Sequence, residues 1–307
     1  MHESRFNRGG LSLDRLRGFL EFAQAGSISK AASGDLSRQS LMSRQIRELE
    51  EYFGAELVVR KGKTLMLSKA GQRLKILITE QFRDLEDFQI QQTQRRKCFS
   101  FGAGASMLEW LVIPAATKLR GILSGSSLRL DVLRSRDLVE AVRDGGVDFA
   151  VVREDALSEE QRLKTSIPVV SMTFLLCVSA TLLGTRSRAW LQQPHNWDQV
   201  PFASISGGGQ LDQKVRQALT ESGGAFTPAV ECASLLQVRE LVVRGVCAGV
   251  LPSVGTSGLA AQGVLSREFE PLKAYGRPLV LHWNERQMRR RDVGDAVIKK
   301  MARALAP

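Results

Sequence analysis

The sequence predicts an α/β protein in two parts, a small N-terminal winged helix-turn-helix with a linker helix, then a larger two-lobed α/β domain. Three observations carry that prediction. Within residues 27–49 two short helical patterns are joined by a tight turn, the grammar of a helix-turn-helix. In residues 57–67 two apolar runs flank a basic turn containing Gly62, the mark of a β-hairpin. From Cys98 onward strand patterns alternate with helix patterns, which implies a parallel-type α/β layer.

Residues 1–10 form a polar, glycine-ended tail. Ser12 can cap a helix in which Leu13, Leu16, Leu20 and Ala23 recur at helical spacing, with Phe19 alongside. Ser27 and Ser29 can cap a helix through Ala31 and Ala32, Gly34-Asp35 ends it, and Ser37 can cap the next. In that next helix Met42, Ile46, Leu49 and Phe53 recur at spacings of four, three and four, so they share one buried face. Ser40, Ser43, Arg44 and Arg47 fall on the other. An ordinary amphipathic surface helix has the same pattern. Yet arginine can fork onto guanine O6 and N7, and serine can approach bases or phosphates, so this face suits a major groove. Gly54 can stop the helix. At the hairpin tip Arg60, Lys61 and Lys63 can reach phosphates, contacts that orient a protein on a duplex without reading it. Ser29, Arg38 and Gln39 complete the candidate DNA contacts.

Ser68 can cap a long helix from Lys69 towards Gln94, with Leu74, Ile78, Phe82, Leu85 and Phe88 in one narrow stripe. Such a stripe packs on its own domain or on a partner helix. The partner is favoured, because the next domain begins only at Cys98.

Bulk properties narrow the function. The 307 residues suffice for about two domains with cores of their own. The formal net charge is +11, and residues 37–75 hold nine Lys/Arg against four Glu, so +5 of it lies in that short segment. A polyanion partner is the natural inference. The four cysteines, Cys98, Cys177, Cys232 and Cys247, lack C-x-x-C spacing and read as thiols of a reducing compartment. His2, His195 and His282 lack ligand spacing, so no metal or other cofactor is expected. Neither a signal peptide nor a bilayer-spanning run is visible, so no membrane partner and a cytoplasmic location are expected.

The carriers of a family resemblance are the helix from Leu16 to Phe22, Gly26-Ser27-Ile28-Ser29-Lys30-Ala31-Ala32, Ser43-Arg44-Gln45-Ile46-Arg47-Glu48-Leu49-Glu50, Phe53-Gly54 and Leu67-Ser68-Lys69-Ala70-Gly71. Through them residues 12–74 resemble the winged helix-turn-helix of the LysR-type transcriptional regulators. The chain departs from that family at Asp35, where a leucine usually ends the second helix. It departs again at Arg38-Gln39-Ser40-Leu41, where Ser-Gln-Pro-Ala usually opens the recognition helix.

After Arg95-Arg96-Lys97, strands are expected at 98–101, 128–133, 147–152, 174–178, 202–205, 229–232 and 248–251. Helices are expected at 107–123, 136–144, 181–191, 210–221 and 235–246, with a basic terminal helix from Arg289 to Leu305 whose arginines form a solvated face. Two such units enclose a cleft, the periplasmic-binding-protein-like arrangement, which closes on a ligand by hinge motion. Asp137-Leu138-Val139-Glu140-Ala141-Val142-Arg143-Asp144-Gly145-Gly146-Val147-Asp148-Phe149-Ala150 and Gly245-Val246-Cys247-Ala248-Gly249-Val250-Leu251-Pro252-Ser253 resemble the LysR-type effector domain in outline.

The resemblance implies a DNA-binding domain at 12–68, a linker and dimerisation helix at 69–95 and an effector domain at 98–307. Lobe 1 would hold 98–168 and 266–307, and lobe 2 would hold 169–265. Ligands of such clefts sit where strands end and helices begin. The implied effector-binding residues are Ala105, Ser106, Arg134, Ser135, Ser204, Ser206, Ala233 and Ser234, although each serine could equally be a helix cap. The implied function is sequence-specific operator binding modulated by a small-molecule effector, with double-stranded DNA and the effector as partners. RNA polymerase is a further candidate partner, and the chain would form a homodimer or homotetramer. An enzyme is not expected. Met107 stands where a dinucleotide fingerprint needs glycine, Gly207-Gly208-Gly209 lacks the Gly-Lys-Ser/Thr of a P-loop, and no Gly-x-Ser-x-Gly elbow occurs. The alternative is a small-molecule-binding or enzymatic α/β protein with an accessory helix-turn-helix.

Overall fold

The computed structural model describes residues 10–62, 64–93, 96–187, 189–190, 193, 196, 199–206, 210–221, 227–268 and 270–307. Contacts divide the chain into two compact units, Met1–Lys97 with Asp144–Gly146, and Cys98–Arg143 with Val147–Pro307.

In the first unit α1 (Leu13–Ala25) is capped by Ser12, whose hydroxyl accepts from the Arg15 N–H, and α2 (Ile28–Ala31) by Ser27. The next helix, α3 (Leu36–Phe53), is capped by Asp35 and not by Ser37: the Asp35 carboxylate accepts from the N–H groups of Ser37 and Arg38 at 2.8 and 3.2 Å. A carboxylate here takes two orphan donors and also complements the positive end of the helix. Ser37 already lies inside the first turn. On α1 the core side is Phe19 and Phe22, whereas Leu13 is 61% exposed. On α3 Met42, Ile46 and Leu49 are buried as expected. Phe53 departs from that face at 41% exposed, because it sits at the helix end and packs edge-on against Tyr52.

The wing is an antiparallel hairpin of β1 (Val58–Lys61) and β2 (Thr64–Leu67). After it runs α4 (Lys69–Gln92), opened by the Ser68 hydroxyl accepting from the Gly71 N–H. Gly71 allows α4 to approach the wing, since a Cβ there would stand 2.1 Å from the Leu57 carbonyl oxygen. The α4 stripe divides. Leu74 and Ile78 are buried in this unit, while Leu85 and Phe88 are exposed, as is the neighbouring Leu77. Gln94 and Arg95 lie outside the described residues.

The second unit runs β3 (Cys98–Ala103), α5 (Ala105–Met107), a π-helical turn at Leu108–Val112, α6 (Ile113–Ile122), β4 (Ser127–Val132), α7 (Ser135–Arg143), β5 (Phe149–Arg153), α8 (Glu159–Lys164) and β6 (Ser166–Met172). It continues through β7 (Phe174–Ser179), α9 (Ala180–Leu183), β8 (Phe202–Ile205), α10 (Gln210–Glu221), β9 (Val230–Cys232), α11 (Leu235–Val243), β10 (Ala248–Pro252), β11 (Val264–Glu268), β12 (Arg277–Trp283), α12 (Glu285–Arg290) and α13 (Asp295–Leu305).

Two five-stranded sheets result, β4-β3-β5-β12-β6 and β9-β8-β10-β7-β11. Each has three parallel strands followed by two antiparallel ones, so the layers are mixed where the alternation predicted parallel. The chain crosses between sheets at Thr173 and again between Glu268 and Arg277. Lobe boundaries drawn at 168/169 and 265/266 would therefore cut β6 and β11.

Neither β6 nor β12 was legible, since each carries a proline. Pro168 is exposed on the edge strand, and Pro278 falls just outside the stretch of β12 paired with β5, the positions a sheet tolerates. The helix expected at 181–191 ends at Leu183, where Gly184 turns left-handed at φ 60°; Leu191 lies outside the described residues. The expected terminal helix is two helices, broken after Arg290. Among its arginines, Arg289 and Arg290 are exposed but Arg291 is buried. No helix among the described residues is long and apolar enough to cross a membrane.

Candidate functional site

Two surfaces gather the residues singled out above, one in each unit. On α3 the Met42, Ile46 and Leu49 side is buried. Ser40, Arg44 and Arg47 on the other side are exposed, and Gln39 and Ser43 are half-buried. Arg38 is exposed at the start of α3, Ser29 on α2, and Arg60 and Lys61 on the wing; Lys63 lies outside the described residues.

Glu48 organises the arginines. Arg44 Nε donates to Glu48 Oε1 at 2.8 Å, and Arg15 on α1 pairs with the other oxygen. Hydrogen bonds from Arg15 and then Arg44 hold the Glu48 carboxyl below its ordinary range. Arg44 is nonetheless 77% exposed, so it is tethered at one nitrogen rather than consumed. Arg38 pairs with Glu21 of α1 at 2.8 Å. A polar, cationic ridge with fixed roots is the result, and such a ridge can meet phosphates and base edges.

Sequence reasoning missed two features of this surface. Glu50 Oε1 accepts from the Leu57 and Val58 N–H groups at 2.8 and 3.1 Å, which pins the root of the wing to α3. Leu36 and Leu41 are 77% and 53% exposed on α3. An apolar side chain at such a position can meet a thymine methyl.

The second surface is a cavity of about 380 Å³ walled by both sheets of the second unit. Its floor is apolar, with Met107, Val151, Met172, Phe174, Ile205 and Leu279 among the walls. Each expected turn contributes one wall residue: Gly104 beside Ala105 and Ser106, Ser135 beside Arg134, Ile205 between Ser204 and Ser206, and Leu235 beside Ser234 and Ala233. Among the eight residues singled out, only Ser135 is itself in the wall. Buried Ser204 donates instead to Asp212 at 2.8 Å, and that carboxylate lines the cavity. The Ser206 hydroxyl donates to Cys232 O at 3.1 Å. Ser234 caps α11, accepting from the Gln237 N–H, and the Ala233 N–H is taken by the Gln237 side chain at 2.8 Å. Ala105 and Arg134 are exposed, Ser106 half-buried.

The charged wall residues that sequence reading overlooked are Arg153, Asp212 and Arg277. Hydrogen bonding to Asp155, then the coulombic attraction of that carboxylate, raises Arg153 above the ordinary guanidinium value against the effect of burial, and the same pairing lowers Asp155. No local sequence signal joins these residues, because Arg153 ends β5 while Arg277 opens β12.

Residues 13–72 match the bacterial regulatory helix-turn-helix proteins of the lysR family, and residues 92–297 match the LysR substrate binding domain. The chain is 27% identical to a probable nitrogen assimilation transcriptional activator of Synechococcus elongatus, over 79% of each sequence. Its fold is similar to that of full-length OxyR from Pseudomonas aeruginosa, with TM-score 0.59 and 17% identity over 96% of this chain and 94% of that one. It is similar also to full-length LysG from Corynebacterium glutamicum with bound effector Arg, with TM-score 0.57 and 19% identity over 97% and 100%.

Proposed function

The chain belongs to the LysR family of bacterial transcriptional regulators, with that family's DNA-binding and effector-binding domains, and from this we propose how its own residues serve regulation. The recognition helix α3 enters a major groove with Ser40, Ser43, Arg44 and Arg47 towards the bases and Leu41 beside them. Ser29, Arg38 and Gln39 flank it, and Arg60, Lys61 and Lys63 of the wing take phosphates. The observation that carries this reading is the division of α3 into a buried Met42, Ile46 and Leu49 side and an exposed arginine and serine side.

The DNA-binding domain spans 12–68, the linker 69–95 and the effector domain 98–307. Two copies pair through the exposed apolar residues of α4, placing two recognition helices about 34 Å apart on an interrupted palindrome, and dimers can pair into tetramers. A small molecule in the cleft binds one lobe arrangement better than another and so shifts promoter occupancy. RNA polymerase is the partner through which occupancy becomes transcription, and the cytoplasm is where such a protein meets its DNA.

Retention of promoter fragments by the purified protein should weaken steeply with salt. Arg44→Ala should cost about 1–3 kcal/mol and relax specificity at one base pair if it reads a base. An equal loss on every sequence would show that Arg44 only touches phosphate.

A further inference from the structure

Among the charged side chains of the cleft, the two arginines share a single carboxylate. Arg153 Nε donates to Asp155 Oδ1 at 2.8 Å and Arg153 Nη2 to Asp155 Oδ2 at 2.5 Å, so both oxygens are engaged by one fork. Arg277 Nε lies 3.3 Å from Asp155 Oδ2 yet makes no hydrogen bond there, and that nitrogen is buried. Its Nη1 donates to Gly276 O at 3.1 Å, and its guanidinium lies 4.7 Å from the centre of the Tyr275 ring. Two guanidiniums against one carboxylate leave an excess positive charge at this end of an apolar cavity. Both guanidiniums are about 30% exposed, so water screens part of that excess, and an anion in the cavity would still be attracted to it.

The opposite wall makes no matching demand. Asp212 accepts from Ser204 Oγ at 2.8 Å and from Arg216 Nε at 3.0 and 3.1 Å, so a cation within the protein already answers it. The remaining wall is mostly aliphatic and aromatic. At about 380 Å³ the cavity is in the size range of pockets that hold small molecules.

We propose that the effector is a small monocarboxylate with an apolar body and no ammonium group, its carboxylate held by Arg277 beside Arg153. This rests on the reading of the cleft as the effector site and adds the class of molecule it takes. Planar forked donors match a carboxylate with two parallel bonds, whereas a neutral amide offers only one acceptor oxygen. A cationic effector, such as the arginine bound by LysG, would bring a third guanidinium towards the two already present.

Matched probes test this on the full-length protein by calorimetry: benzoate against benzamide, hexanoate against hexanamide, with benzylamine, phenylalanine and free arginine as other charge classes. The acids should bind about tenfold or more tightly than their amides. Arg277→Gln should remove that preference, and Arg277→Lys should keep part of it. Acid and amide binding alike, a preference for the amine or an amino acid, or a preference that survives Arg277→Gln would overturn the carboxylate assignment while leaving the cleft as the effector site. If no probe of any class binds at millimolar concentration, the effector-site reading itself fails and takes the proposal with it. Should Arg277→Gln not fold, the acid and amide pairs on the unaltered protein still decide.

Discussion

In the first lobe Asp148 is 2% exposed and accepts from Arg291 Nη1 at 2.8 Å, Gln287 Nε2 at 2.6 Å, and the Ser100 N–H and hydroxyl at 2.8 and 2.9 Å. In the second lobe, whose sheet shares the pattern of three parallel and two antiparallel strands, Asp212 is 6% exposed but its partner Arg216 is 37% exposed and shared with Glu231. Chain path explains the difference. The first lobe is assembled from two distant pieces, β3 to β6 and β12 to α13, and the second is one continuous stretch from β7 to β11. Arg291 joins the two pieces: it also donates to Cys98 O at 2.8 Å and lies 4.1 Å from the centre of the Phe99 ring. A lobe made of separate pieces is held by a buried ionic lock, and a continuous one manages with a half-solvated pair.

The comparison fails most visibly if the lock is removed without consequence. Asp148→Asn should cost about 3–5 kcal/mol, since it leaves Arg291 buried without its counter-charge. Asp212→Asn should cost about 1 kcal/mol, because Arg216 can turn to water. Urea midpoints measure both, and equal losses would break the contrast.

Helix-to-sheet contacts sharpen it at a smaller scale. A Cβ on Gly102 would stand 2.3 Å from Leu138 Cδ2, and one on Gly249 would stand 2.6 Å from Val238 Cγ1. The shorter contact is with the far end of a flexible leucine, the longer with a stiff β-branched valine. Gly249→Ala is therefore expected to cost more, about 2–3 kcal/mol against about 1–2 kcal/mol for Gly102→Ala. The reverse order in thermal unfolding would show that helix α7 is the less able to shift.

The smallest effect belongs to pH. His282 of β12 donates from Nδ1 to Thr165 O at 2.8 Å, which leaves Nε2 unprotonated, buried and without a partner among the described residues. Burial pushes its pKa down, against the raising effect of that hydrogen bond. Below the ordinary value of 6.5 the unfolded chain then binds a proton that the folded chain refuses. Stability should fall as pH drops through 6.5 towards the depressed value, and His282→Gln should flatten that part of the curve. A slope unchanged by the substitution would assign it to carboxylates. In the second lobe the comparable buried group is Cys177, pushed up to about 11 by burial, which keeps it a thiol throughout this range.

Legibility differed between the two sites for a physical reason. The recognition helix is read from one segment: the spacing of Met42, Ile46 and Leu49 places Ser40, Arg44 and Arg47 outward, and the family motifs lie in the same stretch. Even there Asp35 displaced Ser37 as cap, because only geometry shows which side chain reaches two N–H groups. In the cleft the turns after β3, β4, β8 and β9 do supply wall residues, but mostly a neighbour of each side chain expected. The ends of β5 and β12 went unseen, since β12 carries Pro278 as its second residue and pairs with a strand more than a hundred residues earlier.

Local periodicity and turn chemistry sufficed for the two-part organisation, the outward face of α3 and the sites of most strands, because each is dictated by residues a few positions apart. Folding alone decided that Arg291 is buried while Arg289 and Arg290 are solvated, that Asp148 and not Asp144 is the locked carboxylate, and that Arg153 and Arg277 meet over one Asp155. Those partners lie as far apart as 143 positions in the chain. Only the register of β5 against β12 and the break after α12 bring them within hydrogen-bond reach.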